Sequence, residues 1–306
     1  GADHFILSVL WIEPIISAMF LFIAGFSLVL SYGQRAGTPR QWLAIQARRA
    51  AQLYLIAIAF HVADVGLRWP ESVVSPGILS VIAVAVLAGA ACLTLRRQWQ
   101  ALLAITIGGL LMTAAFEQTR TVIPGINAGA GGMFPLVTLA WLGALTGLAH
   151  ARWPQQGLQC VLAGSVLLGM FALATDGPWI IHLPTTLHFY PGEHVQAFLY
   201  SLQDMVGMYH GEVQVRSTLY WNHASLFVLR VLPLLVLMLM GFLLLFKAST
   251  HHTVVGFCNR LGSQALNLYI LHLILLAPLE LTGLKPATGW QTLLVVAAII
   301  ALAPMI

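Results

Sequence analysis

Long apolar stretches alternating with short polar segments dominate the chain. They fall at about 15–33, 50–69, 75–95, 99–116, 133–150, 157–175, 224–246, 262–282 and 287–306. Each approaches the roughly 20 apolar residues that a helix needs to cross a bilayer core, and helices satisfy their own backbone polar groups in lipid. The pattern predicts an all-α, polytopic membrane helix bundle, with about nine transmembrane helices in residues 1–306, built as a single domain. No linker and no internal repeat interrupts it. The segment 176–222 departs from the pattern: Pro184, Pro191 and Gly192 precede Val195, Phe198, Leu199, Leu202, Met205 and Val206 at helical spacing. It reads as an extracytoplasmic loop with an amphipathic helix that lies on the membrane, caps an outer cavity, or packs on neighbouring helix ends.

Composition strengthens this picture. Hydrophobic residues make up 59% of the chain and charged residues only 8%, against about 25% charged in soluble domains, so a water-soluble fold could not cover its surface. The lipid bilayer is therefore an expected partner, and nucleic acid is not. Cys92, Cys160 and Cys258 fall in or beside apolar helices, which argues against a disulfide framework.

Charge placement gives the orientation. Assigning alternate loops to one side gathers Arg35, Arg40, Arg48, Arg49, Arg96, Arg97, Arg152, Lys247 and Arg260, nine of the 14 basic residues, and the positive-inside rule makes that side cytoplasmic. All ten acidic residues then lie in outer loops or outer helix halves. Residues 1–14 are expected outside, with a further helix upstream of Gly1 bringing the chain through the membrane; no signal peptide is read within residues 1–306. The absence of any N-x-S/T sequon favours a bacterial inner membrane over a glycosylated organelle.

Ionisable residues inside a membrane are costly and mark candidate sites. Tyr54, His61, Asp64 and Arg68 share one face of the second stretch, with His61 near mid-membrane. An Asp one turn from a His can fix its tautomer and raise its basicity, as a general base requires; an interhelical hydrogen-bond stripe accounts for the same pattern equally well. In the eighth stretch Ser263, Asn267, Tyr269 and His272 interrupt an apolar run that ends near Glu280. His272, Asn267 and Glu280 are candidate substrate-binding groups, although a lone helical His is more often a packing residue. Asp3 and His4 precede the first stretch and, on local sequence alone, read as solvated surface. In the outer loop His182, His188, His194, His210 and His223 accompany Glu193, Asp204 and Glu212 at spacings that match no tight metal motif, so no metal is expected. On the cytoplasmic side Arg35, Arg40, Arg48, Arg49, Arg96 and Arg97 suit anionic lipid head groups and equally suit the phosphates of a nucleotide-bearing donor.

Four short motifs occur in an order that carries a resemblance. Met19-Phe-Leu-Phe-Ile-Ala-Gly-Phe-Ser-Leu-Val-Leu-Ser31, followed by Arg48-Arg49, resembles the F-x-F-x-x-G-x-S segment of transmembrane acyltransferases of the heparan-α-glucosaminide N-acetyltransferase type. Pro76-Gly-Ile-Leu79, Phe134-Pro-Leu136 with Trp141-Leu-Gly143, and Leu261-Gly-Ser-Gln-Ala-Leu-Asn-Leu-Tyr-Ile-Leu-His272 follow in order. The resemblance implies that cytosolic acetyl-CoA donates an acetyl group to an amino sugar across the membrane. It also implies an active-site histidine just before the F-x-x-G helix, and alignment through Gly25 places that histidine on His4. The family's Arg-x-x-x-x-Asp-x-x-Arg-Gly helix does not occur here, and Pro14-Ile15 and Ala18-Met19 replace dipeptides of the animal enzymes.

On this reading the six arginines hold the donor's phosphates, His4 is general base or acyl carrier, and Asp64 or His61 orients or relays. An O-acyltransferase of periplasmic glucan or surface polysaccharide shares the donor and the topology. A transporter or flippase would use the midplane histidines and acids as proton-coupled ligand sites. A homodimer is compatible with each.

Overall fold

The computed structural model describes residues 2–65, 71–74, 77–119, 126, 133–154, 156–176 and 225–248. All regular structure among them is helical: α1 (Ala2–Gly33), α2 (Pro39–Val65), α3 (Glu71–Val74), α4 (Ile78–Leu93), α5 (Gln98–Thr119), α6 (Leu136–Arg152), α7 (Gln156–Asp176) and α8 (Ser225–Ala248). Seven of these helices fall on the first seven apolar stretches, while the expected helices at 262–282 and 287–306 and the loop helix within 176–222 lie outside the described residues. The chain divides into two compact units, Gly1–Trp11 with Met240–Ile306, and Ile12–Leu239. The second unit holds α2 to α7 entire, together with α1 from Ile12 onward and α8 as far as Leu239.

Two helices start earlier than the apolar pattern places them. Asp3 and His4 belong to the first turn of α1 and not to a loop before it: residues 5–12 are mostly apolar, and the helix runs on through Pro14. Helix α2 begins at Pro39, 11 residues ahead of the expected 50, because a capping box stands there. The backbone N–H of Gln41 donates to Thr38 Oγ1 at 3.3 Å, and the N–H of Thr38 donates to Gln41 Oε1 at 3.0 Å. Pro39 fills the first helical position, where its missing N–H costs nothing. The preceding turn needs glycine, since Gly37 has φ +92°.

Helix α6 is the centre of the second unit, packing on α4, α5 and α7, and on α1 through glycine. A Cβ on Gly25 would lie 1.7 Å from the carbonyl oxygen of Ala140, and one on Gly143 would lie 1.9 Å from that of Phe22. One turn further on, a Cβ on Gly147 would meet the Phe26 oxygen at 3.1 Å. From the Phe22–Gly143 contact to the Phe26–Gly147 contact both helices advance four residues, so α1 and α6 run parallel, closely packed along a ridge of Ala140, Gly143, Ala144 and Gly147. Such small-residue crossings suit helices in lipid, where van der Waals contact rather than the hydrophobic effect drives association. From the other side of α6 the Trp141 indole donates to the Ala85 carbonyl of α4 at 3.1 Å and lies against the Gly109 position of α5. Helix α2 packs on α4, and the Tyr54 hydroxyl holds the short α3, lying 2.5 Å from the Val73 carbonyl and 3.0 Å from that of Val74.

Among the described residues many large apolar side chains face outward, while several hydroxyls are buried. Leu55, Leu111, Leu167 and Met170 are 61–68% exposed, whereas Thr106, Thr113, Thr138, Thr146 and Ser165 are buried. The buried hydroxyls of Thr106, Thr113, Thr146 and Ser165 donate to carbonyls three or four residues back in their own helices, at 2.7 to 2.9 Å, so none needs water. Among the described residues Gln98–Phe116 is long and apolar enough to cross a membrane; Ser17–Gly33, Ile78–Leu93, Gln156–Ala172 and Val231–Leu245 are shorter apolar helices.

Gly143→Val should lower the stability of the purified protein by about 3 kcal/mol, the upper end of overpacking costs, seen as a lower melting temperature in detergent. Gly108→Ala, with nothing within 4 Å of the new Cβ, should be neutral or gain up to about 1 kcal/mol. Tyr54→Phe should cost about 1 kcal/mol and make residues 71–74 exchange their amide hydrogens faster.

Candidate functional site

The turns α1–α2, α4–α5 and α6–α7 meet at one end of the second unit. Leu28, Val29, Trp42, Cys92, Leu93, Leu102, Ala144 and Leu148 form a single core cluster there, with Tyr32 and Ala101 packed on it. This end carries Arg35, Arg40, Arg96, Arg97 and Arg152, so the basic turns that charge sorting assigned to one side do share an end. The described basic residues differ in setting, however. Arg40, Arg48, Arg49, Arg96, Arg97 and Arg152 are exposed, and Arg35 alone is half-buried. On α2 the buried stripe is Trp42, Gln46, Ala50 and Ala57, which turns Arg48 and Arg49 to the outer face beside the exposed Ile45.

Arg35 is held by the end of α1. Its guanidinium lies 3.9 Å above the Tyr32 ring and one terminal nitrogen donates to the Tyr32 carbonyl at 2.7 Å. Tyr32 in turn meets Trp42 edge-on at 4.9 Å, and the Trp42 indole donates to Ser31 Oγ at 3.4 Å. The Nε of Arg35 is buried with no hydrogen-bond partner. A second group shares this condition. His150, in the last turn of α6, has its ring 5.7 Å from that of Phe26, and its Nδ1 is buried without a partner. Buried polar atoms are nearly always paired, so each of these two atoms is a candidate contact for a polar ligand. Sequence reading missed His150, which looks like an ordinary basic residue near a helix C-terminus; only the Gly147 crossing shows that its ring turns inward against Phe26.

The other candidate residues are placed less fully. His61 is half-buried, one turn beyond Ala57 on the face of α2 that packs on α4, and Asp64 follows it by three residues in the same helix. The Asp64 side chain and Arg68 lie outside the described residues. Tyr54, the fourth member of that stripe, holds α3 instead. His4 lies in the first turn of α1 within the unit Gly1–Trp11 with Met240–Ile306; its side chain, and all of His272, Asn267 and Glu280, are outside the described residues, as are the histidines of the outer loop. Among the described residues no group of three His, Cys, Asp or Glu side chains could hold a metal ion.

No curated protein and no solved structure matches the chain. A family model described as heparan-alpha-glucosaminide N-acetyltransferase, catalytic, matches residues 4–175, a run that begins at His4 and contains Arg35, His61, Asp64, the α1–α6 crossing and His150. It covers more than half of the 306 residues, and the chain therefore belongs to the heparan-alpha-glucosaminide N-acetyltransferase catalytic family.

Proposed function

We propose that the protein is a multi-pass membrane acyltransferase, with about nine membrane helices in residues 1–306, in a bacterial inner membrane. It moves an acetyl or other acyl group from cytosolic acyl-CoA to an amino sugar or glycan acceptor on the opposite side. The observation that carries this reading is the family match over 4–175. The many exposed large apolar side chains support the membrane placement, and the shared end of the basic turns supports the orientation.

The donor's phosphates belong at the basic end, where the Arg35 guanidinium offers a charged, buried N–H that has no acceptor among the described residues. Arginine forks pair with phosphate oxygens, and His150 adds a second donor whenever its Nδ1 carries the proton. Holding Arg35 over Tyr32 before the donor arrives removes part of the ordering cost of binding.

Transfer breaks the acyl carbon–sulfur bond and releases the thiolate of coenzyme A. His4 removes the proton from the attacking amine or hydroxyl of the acceptor, or its ring nitrogen first takes the acyl group and passes it on. Asp64 or His61 orients or relays a proton. The segment 176–222 closes over the acceptor, with His272, Asn267 and Glu280 as acceptor contacts.

Binding of radiolabelled acetyl-CoA to the purified full-length protein in detergent, displaced by free coenzyme A, tests the donor; a folded protein that binds none overturns the reading. Arg35→Gln should raise the donor KM about tenfold, the loss of one hydrogen bond to a charged group, with little change in kcat. His4→Ala should lower kcat by about 100-fold or more at an unchanged helical circular dichroism spectrum, and turnover at the parent rate would remove His4 from the mechanism.

A further inference from the structure

The exposed arginines at the basic end are not spread evenly, and one group of them adjoins a paired set of exposed tryptophans. Trp99, in the first turn of α5, and Trp153, in the α6–α7 turn, are 36% and 50% exposed, with ring centroids 6.4 Å apart. The Arg152 guanidinium lies 5.4 Å from the Trp153 ring. Arg96 and Arg97, both exposed, precede Trp99 by three and two residues. Above Trp99, one face of α5 carries Leu103, Ile107 and Leu111, all exposed and spaced four residues apart. With Trp99 this makes an outward apolar stripe about 18 Å long by helical rise.

No acidic residue occurs between Glu71 and Glu117, or between Glu117 and Asp176. Glu117 itself is more than five turns along α5 from Arg97, about 30 Å away, so the three arginines have no carboxylate near them on their own helices and turns.

We propose that this notch, between the α4–α5 turn and the α6–α7 turn, is a binding site for one anionic phospholipid. Its phosphate lies among Arg96, Arg97 and Arg152, its glycerol region rests on the Trp99–Trp153 pair, and an acyl chain runs along Leu103, Ile107 and Leu111. The chemistry fits at each level. Tryptophan prefers the depth where head group meets hydrocarbon, arginines at the cytoplasmic face attract anionic lipid, and a stripe of exposed leucine and isoleucine matches only lipid or another apolar surface. The site is separate from the proposed donor site: His150 turns inward to Phe26, while Arg152 and Trp153, two and three residues on, are exposed. The lipid site rests on the membrane placement proposed above and not on the acyl donor.

Native mass spectrometry of the full-length protein in detergent, titrated with phosphatidylglycerol or with phosphatidylcholine of the same chains, tests it. One phosphatidylglycerol should bind in preference to phosphatidylcholine. Arg96→Gln and Arg152→Gln should each weaken it about fivefold, the ratio equivalent to ~1 kcal/mol per arginine near an anionic surface, while Arg152→Lys retains it. Brominated phosphatidylglycerol should quench tryptophan fluorescence less in a folded Trp99→Phe, Trp153→Phe variant. Equal binding of the two lipids, or a loss from Arg48→Gln with Arg49→Gln as large as that from Arg96→Gln with Arg152→Gln, overturns the site. So does a dimer that carries no lipid and dissociates on Trp99→Phe, which assigns the notch to a second copy. Release of the protein from membranes by alkaline carbonate removes the membrane placement itself. Retention without lipid preference removes the lipid site alone, and acetyl-CoA binding by the same preparation reports separately on the donor.

Discussion

Helices α1 and α6 cross backbone against backbone at Gly25 and Gly143, and the rest of the second unit is arranged around that crossing. Because Gly25 and Gly143 each sit against a carbonyl oxygen of the other helix, the two backbones have one register; a shift of one residue would drive a Cβ into the opposite backbone. That register turns Trp141 away from α1 toward α4, where Ala85 accepts from its indole. The same indole lies near the Gly89 and Gly109 positions, so α4 and α5 take their distance from α6 through one large side chain. Phe26, one residue past Gly25, is thereby placed against His150. Two of the four short motifs that carry the family resemblance thus lie in this packing: Phe20 to Ser27 and Trp141 to Gly143.

The same geometry accounts for what the sequence made legible. Hydropathy located seven helices because each apolar stretch must close its own backbone hydrogen bonds, and that requirement is local. It misplaced the starts of α1 and α2 because those ends depend on other chemistry. A Thr38–Gln41 capping box with Pro39 starts α2 well inside a polar segment, and residues 5–12 carry no signal to stop α1. Which face of each helix points inward is a long-range property. Arg48 and Arg49 on α2 and Arg35 before it look alike as a run of arginines, but the packing of α2 on α4 sends the pair outward, and the aromatic pair Tyr32–Trp42 leaves only Arg35 half-buried. His150 was invisible for the same reason, since its burial follows from the Gly147 crossing and from no local pattern.

The polar residues of the described interior fall into two kinds, and the distinction bears on function. Thr106, Thr113, Thr146 and Ser165 return their hydrogen bonds to their own helices, so they soften the apolar interior without linking anything and leave no unmet demand. Tyr54 and Trp141 link elements and are likewise satisfied. Arg35 Nε and His150 Nδ1 are different: they are enclosed and unanswered. An unmet buried donor costs about 1–3 kcal/mol, more when charged, and a protein retains such a cost where a ligand offsets it.

Charge at the basic end therefore separates by burial. A half-buried guanidinium, already stacked on Tyr32 and bonded to its carbonyl, has lost most of its freedom and part of its water, so an incoming phosphate meets it with little further ordering; that suits one bound molecule of fixed orientation. Exposed arginines keep their hydration and their rotamers, and each contributes a small, screened attraction to a surface. Such groups gain specificity only when a second feature fixes the partner. On α2 the outer face offers no aromatic partner to Arg48 and Arg49 among the described contacts, whereas beside Arg96, Arg97 and Arg152 the Trp99–Trp153 pair and the apolar stripe of α5 supply one. The same residue type, at one positively charged end of one bundle, thus falls into three settings: a half-buried guanidinium stacked on Tyr32, exposed groups beside the Trp99–Trp153 pair, and an exposed pair on the outer face of α2.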